Sequence, residues 1–434
     1  MASRFWGEGE SESESSIYTD TDYDDDDDDG EEESIPCNYK KPRWLRPAPA
    51  CCPVHGDDPA APPHPETVLV DTLAHIDGQR DATTAGAART NGHSIQVTFR
   101  TAHPPRLSHL TVQCPGQGPD AFPTLPRVVA TEDDLALLRV PVGNDHEFFV
   151  YRAGAGDQPP ILRMIPNPNT LYYADKDVGI LSCPNSTDRF VIAVSNQTLC
   201  HPRYIHLFDS EAWAWSTRLV RLKPSKAFSY SSTSKVITMG GKRGSMGWVD
   251  LWRGILVYDM LRAGKDDQVR YIPLPSRKYA FWGLPETIRD ITVVNGVVRF
   301  FAMYRRGFYS TNLGGAWHAD TWTMKRPLKK WQHEVHLKAS EIRVDDPRHS
   351  ELLGDLPGHK DADRKNSLLT RLRAGSPVLS QLEDGVVYIL TKPLFQEDKA
   401  WVITVDMKTK TLRAMDEFDA GRTDGLMFTC TQSY

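Results

Sequence analysis

The sequence predicts an all-β protein, a propeller-like array of five to six four-stranded antiparallel units; one large irregular β-sandwich is the alternative. Three observations predict it. Short apolar runs recur in groups of four between Val128 and Phe418, at periods of about 45 to 65 residues. Turn dipeptides such as Asn295-Gly296 and Asp384-Gly385 separate them, and Asn-Gly suits the positive φ angles of a tight hairpin. No long stretch shows helical periodicity, which makes an α/β fold the poorest fit.

The elements follow in order. Fifteen carboxylates and one base, Arg4, precede Ser34, a charge of −14 in a chain whose total is −6, so the remainder carries +8. Residues 1–34 therefore read as a disordered acidic tail, because Asp24 to Asp29 and their neighbours repel one another and bury no apolar surface. Residues 35–66 read as a Pro/Ala-rich linker, and 67–430 as a single propeller-like domain. Its first expected unit holds Val128–Ala130, Leu135–Val140, Glu147–Tyr151 and Ile161–Ile165. The second holds Val178–Cys183, Phe190–Val194, Tyr204–Phe208 and Trp213–Leu222. Val236–Met239, Gly247–Leu251, Gly254–Tyr258 and Val269–Ile272 make the third. Ile291–Val294, Val297–Met303, Trp317–Met324 and Trp331–Leu337 make the fourth, and Val378–Leu382, Val386–Leu390, Trp401–Asp406 and Thr411–Phe418 the fifth. Val68–Leu73, Ile95–Arg100, Leu107–Cys114 and Leu426–Cys430 are left to form a sixth unit from both ends of the chain, which would remove exposed sheet edges. The charged stretch 340–376 reads as a disordered loop insertion.

Met1 to Glu10 has no apolar core of a secretory signal, and no run reaches the roughly 18 apolar residues of a spanning helix. Seven irregularly spaced cysteines do not suggest a disulfide framework, so reduced thiols, a cytoplasmic or nuclear location, no membrane partner and a monomer are expected.

Gly247-Trp248-Val249-Asp250-Leu251-Trp252-Arg253-Gly254-Ile255-Leu256 resembles the central motif of a large plant family, much expanded in grasses, known as domain of unknown function 1618. Arg270-Tyr271-Ile272-Pro273-Leu274-Pro275 and Arg289-Asp290-Ile291 agree with its flanks, Lys399 to Met407 with its closing hairpin, and Val70 to Ile76 with its first strand. The resemblance runs from about Thr67 to Phe418, with the family core at about 248–393. It implies Trp248, Asp250, Trp252 and Arg253 as a structural motif, and it brings no reaction and no catalytic residues. On a strand, Trp248 and Trp252 share parity and would face one side.

Sites of chemistry are few. Gly240-Gly241-Lys242-Arg243-Gly244 lacks the Gly-Lys-Ser/Thr ending of a phosphate loop and reads as a turn. Asp25, Asp27 and Asp29 imitate an EF-hand start, but Pro36 stands where the bidentate Glu belongs. Cys37, Cys51, Cys52, His55 and His64 contain no Cys-x-x-Cys pair for zinc. Strand alternation sends His333 and His336 to opposite faces, while His318 and Asp320 share one. No catalytic residue, metal or cofactor is therefore expected. Most of the eleven tryptophans fall on strands and read as packing between units. Phe281 and Trp282, adjacent aromatics in a loop, are the candidate partner-binding site. Ser11, Thr19 and Thr21 each have an acid three residues on (Glu14, Asp22, Asp24) and are candidate phosphosites for acidophilic kinases.

Three functions fit: a non-enzymatic protein-interaction scaffold with an unknown protein partner, which is favoured; a nuclear nucleic-acid-associated protein using the basic body and Lys40-Lys41-Pro42-Arg43; and a propeller hydrolase with a central-channel site, which would require carboxylates or histidines converging at inner-strand ends.

Overall fold

The computed structural model describes residues 65–434 apart from 119–120, 143–144, 168–172, 184–185, 187, 197–202, 242, 262–266, 276–282, 306–316, 326–329, 355–368, 371, 394–398, 420–429 and 434. The tail with Ser11, Thr19 and Thr21, and the linker up to residue 64, lie outside the described residues.

Five strands open the described chain: β1 (Val68–Asp71), β2 (His75–Ile76), β3 (Ala85–Ala88), β4 (Ser94–Arg100) and β5 (Leu107–Gln113). Five four-stranded antiparallel units follow. The first is β6 (Arg127–Glu132), β7 (Leu135–Val142), β8 (Asp145–Arg152) and β9 (Ile161–Ile165). The second is β10 (Val178–Ser182), β11 (Phe190–Asn196), β12 (Arg203–Asp209) and β13 (Ala214–Leu222). The third is β14 (Lys235–Gly240), β15 (Ser245–Asp250), β16 (Gly254–Asp259) and β17 (Gln268–Pro273). β18 (Arg289–Val294), β19 (Val297–Arg305), β20 (Trp317–Met324) and β21 (Gln332–Lys338) form the fourth. After helix α1 (Pro347–Gly354), the fifth is β22 (Arg373–Leu379), β23 (Val386–Lys392), β24 (Lys399–Asp406) and β25 (Thr411–Asp419). Finally β26 (Cys430–Ser433) pairs antiparallel with β1, giving a closing sheet in the order β26-β1-β5-β4-β3 with β2 beside β5.

Each sheet has two apolar faces, and each face finds a neighbour. Val128, Leu138 and Phe149 of the first unit pack with Val97 and Val112 of the closing sheet. On its other face Leu137 and Val150 meet Ile180 and Ile192 of the second unit. The series continues with Leu181 and Leu207 against Trp248 and Leu256, Val249 and Val257 against Ile291 and Phe300, and Phe301 and Trp317 against Ile389 and Ile403. Tyr388 and Val402 of the fifth unit then meet Leu69 of the closing sheet. Six interfaces join six sheets into a ring, so every sheet buries both faces without exposing a large apolar surface. The first strands approach one another in ring order, β6, β10, β14, β18, β22 and β26, and β26 approaches β6 again. The protein is an all-β, propeller-like array.

Polar clasps cross both seams of the closing sheet. Arg106 Nε donates to Asp416 Oδ2 of β25 at 2.8 Å. Arg89, buried in the β3–β4 turn, donates through Nε to Glu147 Oε2 of β8 at 2.9 Å and through Nη1 to Cys114 Sγ at 3.2 Å. The Thr90 amide and hydroxyl donate to the other Glu147 oxygen.

Several local expectations need correction. Of the stretch 340–376, residues 355–368 and 371 lie outside the described residues, while its described parts supply apolar residues to the core: Ile342, Leu353, Leu369, Leu372 and Ala374 are all buried beside the fourth and fifth units. β22 accordingly begins at Arg373 rather than Val378, with a bulge between Gly375 and Val378. The C-terminal strand lies at Cys430–Ser433, a few residues beyond the expected Leu426–Cys430. The closing sheet gains β3, whose Ala-Gly-Ala-Ala sequence carries little strand signal, and contains parallel pairs of β5 with β1 and β2. A parallel pairing of Arg221–Leu222 with Gln268–Val269 also joins the second and third units along their outer strands. Among the described residues no helix is long and apolar enough to cross a membrane.

Candidate functional site

The Gly247–Leu256 motif is a hairpin, β15 and β16 joined by a turn over Leu251–Arg253. Trp248, 1 % exposed, sits between the second and third units, and its indole Nε1 donates to the Asp177 carbonyl at 2.9 Å. Two other tryptophans make the same kind of strut to the preceding unit: Trp215 Nε1 donates to Pro166 O at 2.6 Å, and Trp331 Nε1 to Pro273 O at 2.8 Å. An indole suits this position because its apolar body fills the interface while its one N–H reaches a backbone acceptor.

Asp250 shapes the turn. Its buried carboxylate accepts the Trp252 amide at 3.0 Å, the Ser231 amide at 2.9 Å and Arg253 Nη1 at 3.1 Å. Gly254 is required here because a Cβ would stand 2.5 Å from the Tyr271 ring. The strand-parity expectation for Trp248 and Trp252 fails, since β15 ends at Asp250 and Trp252 lies in the turn. There its ring lies 4.4 Å from the guanidinium carbon of Arg289, whose Nη1 donates to the Leu251 carbonyl at 3.0 Å. Arg289 thus ties the third unit to the fourth, and its burial pulls its pKa down.

Phe281 and Trp282 lie outside the described residues. Gly240, Gly241 and Gly244 have positive φ and turn β14 into β15. The two histidines expected to diverge converge instead. A bulge in β21 opposite Thr321 and Trp322 resets the alternation, placing His333 Nε2 at 2.8 Å and His336 Nδ1 at 3.0 Å from Asp320 Oδ1. The His318 ring lies tilted beside that of His336, with ring centroids 5.5 Å apart. This cluster stands on the two outer strands of the fourth unit, and among the described residues no group of three or more His, Cys, Asp or Glu is arranged to hold a metal ion.

The feature that sequence reasoning did not locate is at the ring's axis. A cavity of about 120 Å³ is lined by residues of β6, β14, β18 and β22, the first strands of four different units. The first unit is not adjacent to the fourth, so only an axial space touches all of them. Asp290 of β18 ties three inner strands together. Its Oδ1 accepts Lys235 Nζ of β14 at 2.8 Å, and its Oδ2 accepts the Leu379 amide of β22 at 2.8 Å. Glu132, the last residue of β6, faces the same space, hydrogen-bonded to Thr238 of β14. Burial pushes its carboxyl up to about 8, and the nearby Asp133 adds to the rise against the opposing Thr238 hydrogen bond. Glu132 is thus mostly a neutral acid at pH 7. The sequence signal was slight: Thr131-Glu132-Asp133-Asp134 reads as a solvated acidic turn.

Residues 248–388 match the family model described as "Protein of unknown function (DUF1618)". No curated protein matches the chain. Among solved structures the chain is similar to a subtype N10 neuraminidase-like protein of the A/little yellow-shouldered bat/Guatemala strain, at 12% identity and a TM-score of 0.32, covering 68% of this chain and 84% of that one. It is also similar to the hydrazine synthase of Kuenenia stuttgartiensis (13% identity, TM-score 0.31, 66% of this chain, 65% of that chain). A third is a hypothetical selenium-binding protein of Sulfolobus tokodaii (10% identity, TM-score 0.33, 84% of this chain, 77% of that chain). The matched segment runs from Trp248 in β15 to Tyr388 in β23 and holds the Asp250 turn, Arg289 and Asp290, so this part of the chain is similar to a domain of unknown function.

Proposed function

We propose that this protein is a non-enzymatic interaction scaffold, a rigid ring of six sheets that presents its axial face to another protein. The observation that carries this reading is the axial cavity, lined by inner strands of four units and braced by the Lys235–Asp290 pair. Each lining strand is fixed by a hydrogen-bonded neighbour and by apolar packing on both faces, so the cavity is preorganised and loses little entropy on binding.

A second reading, hydrolysis in the channel, draws on the same Glu132, because a carboxyl kept protonated near neutrality beside Asp133 is suited to general-acid work. The scaffold reading is preferred because Asp290, the other deep carboxylate, is already engaged by Lys235 and the Leu379 amide. Affinity capture with mass spectrometry, run beside a panel of ester, glycoside and peptide substrates, separates the two. A stoichiometric protein partner with no turnover supports the scaffold. Turnover that Glu132→Gln abolishes overturns it, as does capture of nothing above a denatured control.

A further inference from the structure

The axial cavity has a chemical preference that can be read from its walls. Its described lining includes three carboxyl groups, Glu132, Asp133 and Asp290, and one cation, Lys235. The ammonium of Lys235 is committed to Asp290 at 2.8 Å. Glu132 is left facing the space with the Thr238 hydroxyl and no cation among the groups that set its titration. Around it Val236, Val293 and Val378 contribute apolar wall. The cavity, about 120 Å³, approaches the roughly 150 Å³ of an engineered site that admits benzene. It therefore has room for one aliphatic stem with a charged end, and none for a bulky ligand.

Resting on the scaffold reading above, we propose that the axial cavity receives one lysine side chain of a partner polypeptide, its butyl stem against the valines and its ammonium on Glu132. Lysine is preferred to arginine. One side of the Glu132 carboxyl is taken up by Thr238, which spoils the two-oxygen match that a planar guanidinium favours, whereas a compact ammonium needs a single oxygen. Entry of the cation ionises Glu132: its O–H bond breaks, the proton leaves to solvent, and the ammonium keeps its own protons. The other titratable groups that line the cavity with Glu132 are Asp133 on its own turn, Lys235 on β14 and Asp290 on β18. The last two are paired with each other and Asp133 is an exposed turn residue, so Glu132 is the group whose ionisation answers the ligand.

The test is isothermal titration of the full chain with acetyl-Gly-Gly-Lys-Gly-Gly-amide, with its norleucine counterpart and with n-butylamine, in two buffers of different ionisation enthalpy. The lysine peptide is expected to bind one-to-one at pH 7 with release of nearly one proton, and its affinity to rise about tenfold per pH unit from pH 5.5 to 7.5. The norleucine peptide should not bind. Glu132→Gln should remove the proton release and weaken the lysine peptide at least tenfold. The proton count on the parent protein needs no variant, so a folding defect in Glu132→Gln does not decide the matter. Absence of binding at millimolar peptide, or binding without proton release, overturns the proposal. Equal affinity for n-butylamine overturns the polypeptide assignment in favour of a free amine. Partner capture unaffected by Glu132→Gln would leave the scaffold standing and remove the cavity from it.

Discussion

Glu147→Ala is expected to destabilise the protein by about 3–5 kcal/mol, measured as a fall in the denaturant midpoint at unchanged slope. Among the described residues Glu147 is the carboxylate that pairs with Arg89, whose side chain is 2 % exposed, so truncation leaves a buried guanidinium without that counter-charge. It also strips the Thr90 amide of an acceptor. The position magnifies the effect, because the clasp spans the seam between the closing sheet and the first unit. Burial pushes the Glu147 carboxyl up, but hydrogen bonds from Thr90 and Arg89 outweigh it and hold the pKa below the usual range. The folded pKa is thus depressed. The contribution should be complete above the unfolded carboxyl's ordinary 4.5 and be lost as the pH falls below it. A parent-like midpoint at pH 7 would show that the clasp does not hold the seam.

Trp248→Ala is expected to cost about 3–5 kcal/mol, the usual range for removing a fully buried indole. The substitution empties the interface between the second and third units, where Trp248 packs among Leu181, Leu207 and Leu256, and deprives the Asp177 carbonyl of its donor. Thermal unfolding followed by circular dichroism reads the loss. Trp252→Phe should cost less, since a phenyl ring still offers a face to Arg289. Equal melting temperatures for Trp248→Ala and the parent would contradict the packing role.

The strands were legible because alternation and turn chemistry are local. Asn295-Gly296 joins β18 to β19 with positive φ at both residues, as its composition demands. The two ends of the chain share one sheet, β26 pairing with β1, because neither alone could satisfy its edges. Signals failed where geometry depends on something off the strand's own pattern. One bulge in β21 brought His333 and His336 to the same carboxylate, against simple alternation. A turn that begins at Asp250 removed Trp252 from the parity of Trp248. The 340–376 stretch reads as a loop insertion because it is charged and carries Gly354, Pro357 and Gly358, a composition that does not reveal that Leu353, Leu369 and Leu372 reach the core. In the sequence Asp290 stands only as the flank of a motif. Its role needs Lys235 and Leu379, which lie 55 and 89 residues away. Glu132 gave no usable signal, since nothing in an acidic tetrapeptide says that one member will end a strand at the axis of a ring.

Glu132 is a partly buried, desolvated acid on the axial cavity, and its own titration tests its readiness for a cation most directly. Carbon-13 labelling of glutamate side chains, with Glu132→Gln to assign the resonance, lets its carboxyl be followed from pH 4 to 10 in the intact protein. The midpoint is expected near 8, falling when the lysine peptide is present. A midpoint near the ordinary 4.5 would show an already solvated carboxylate and contradict the account.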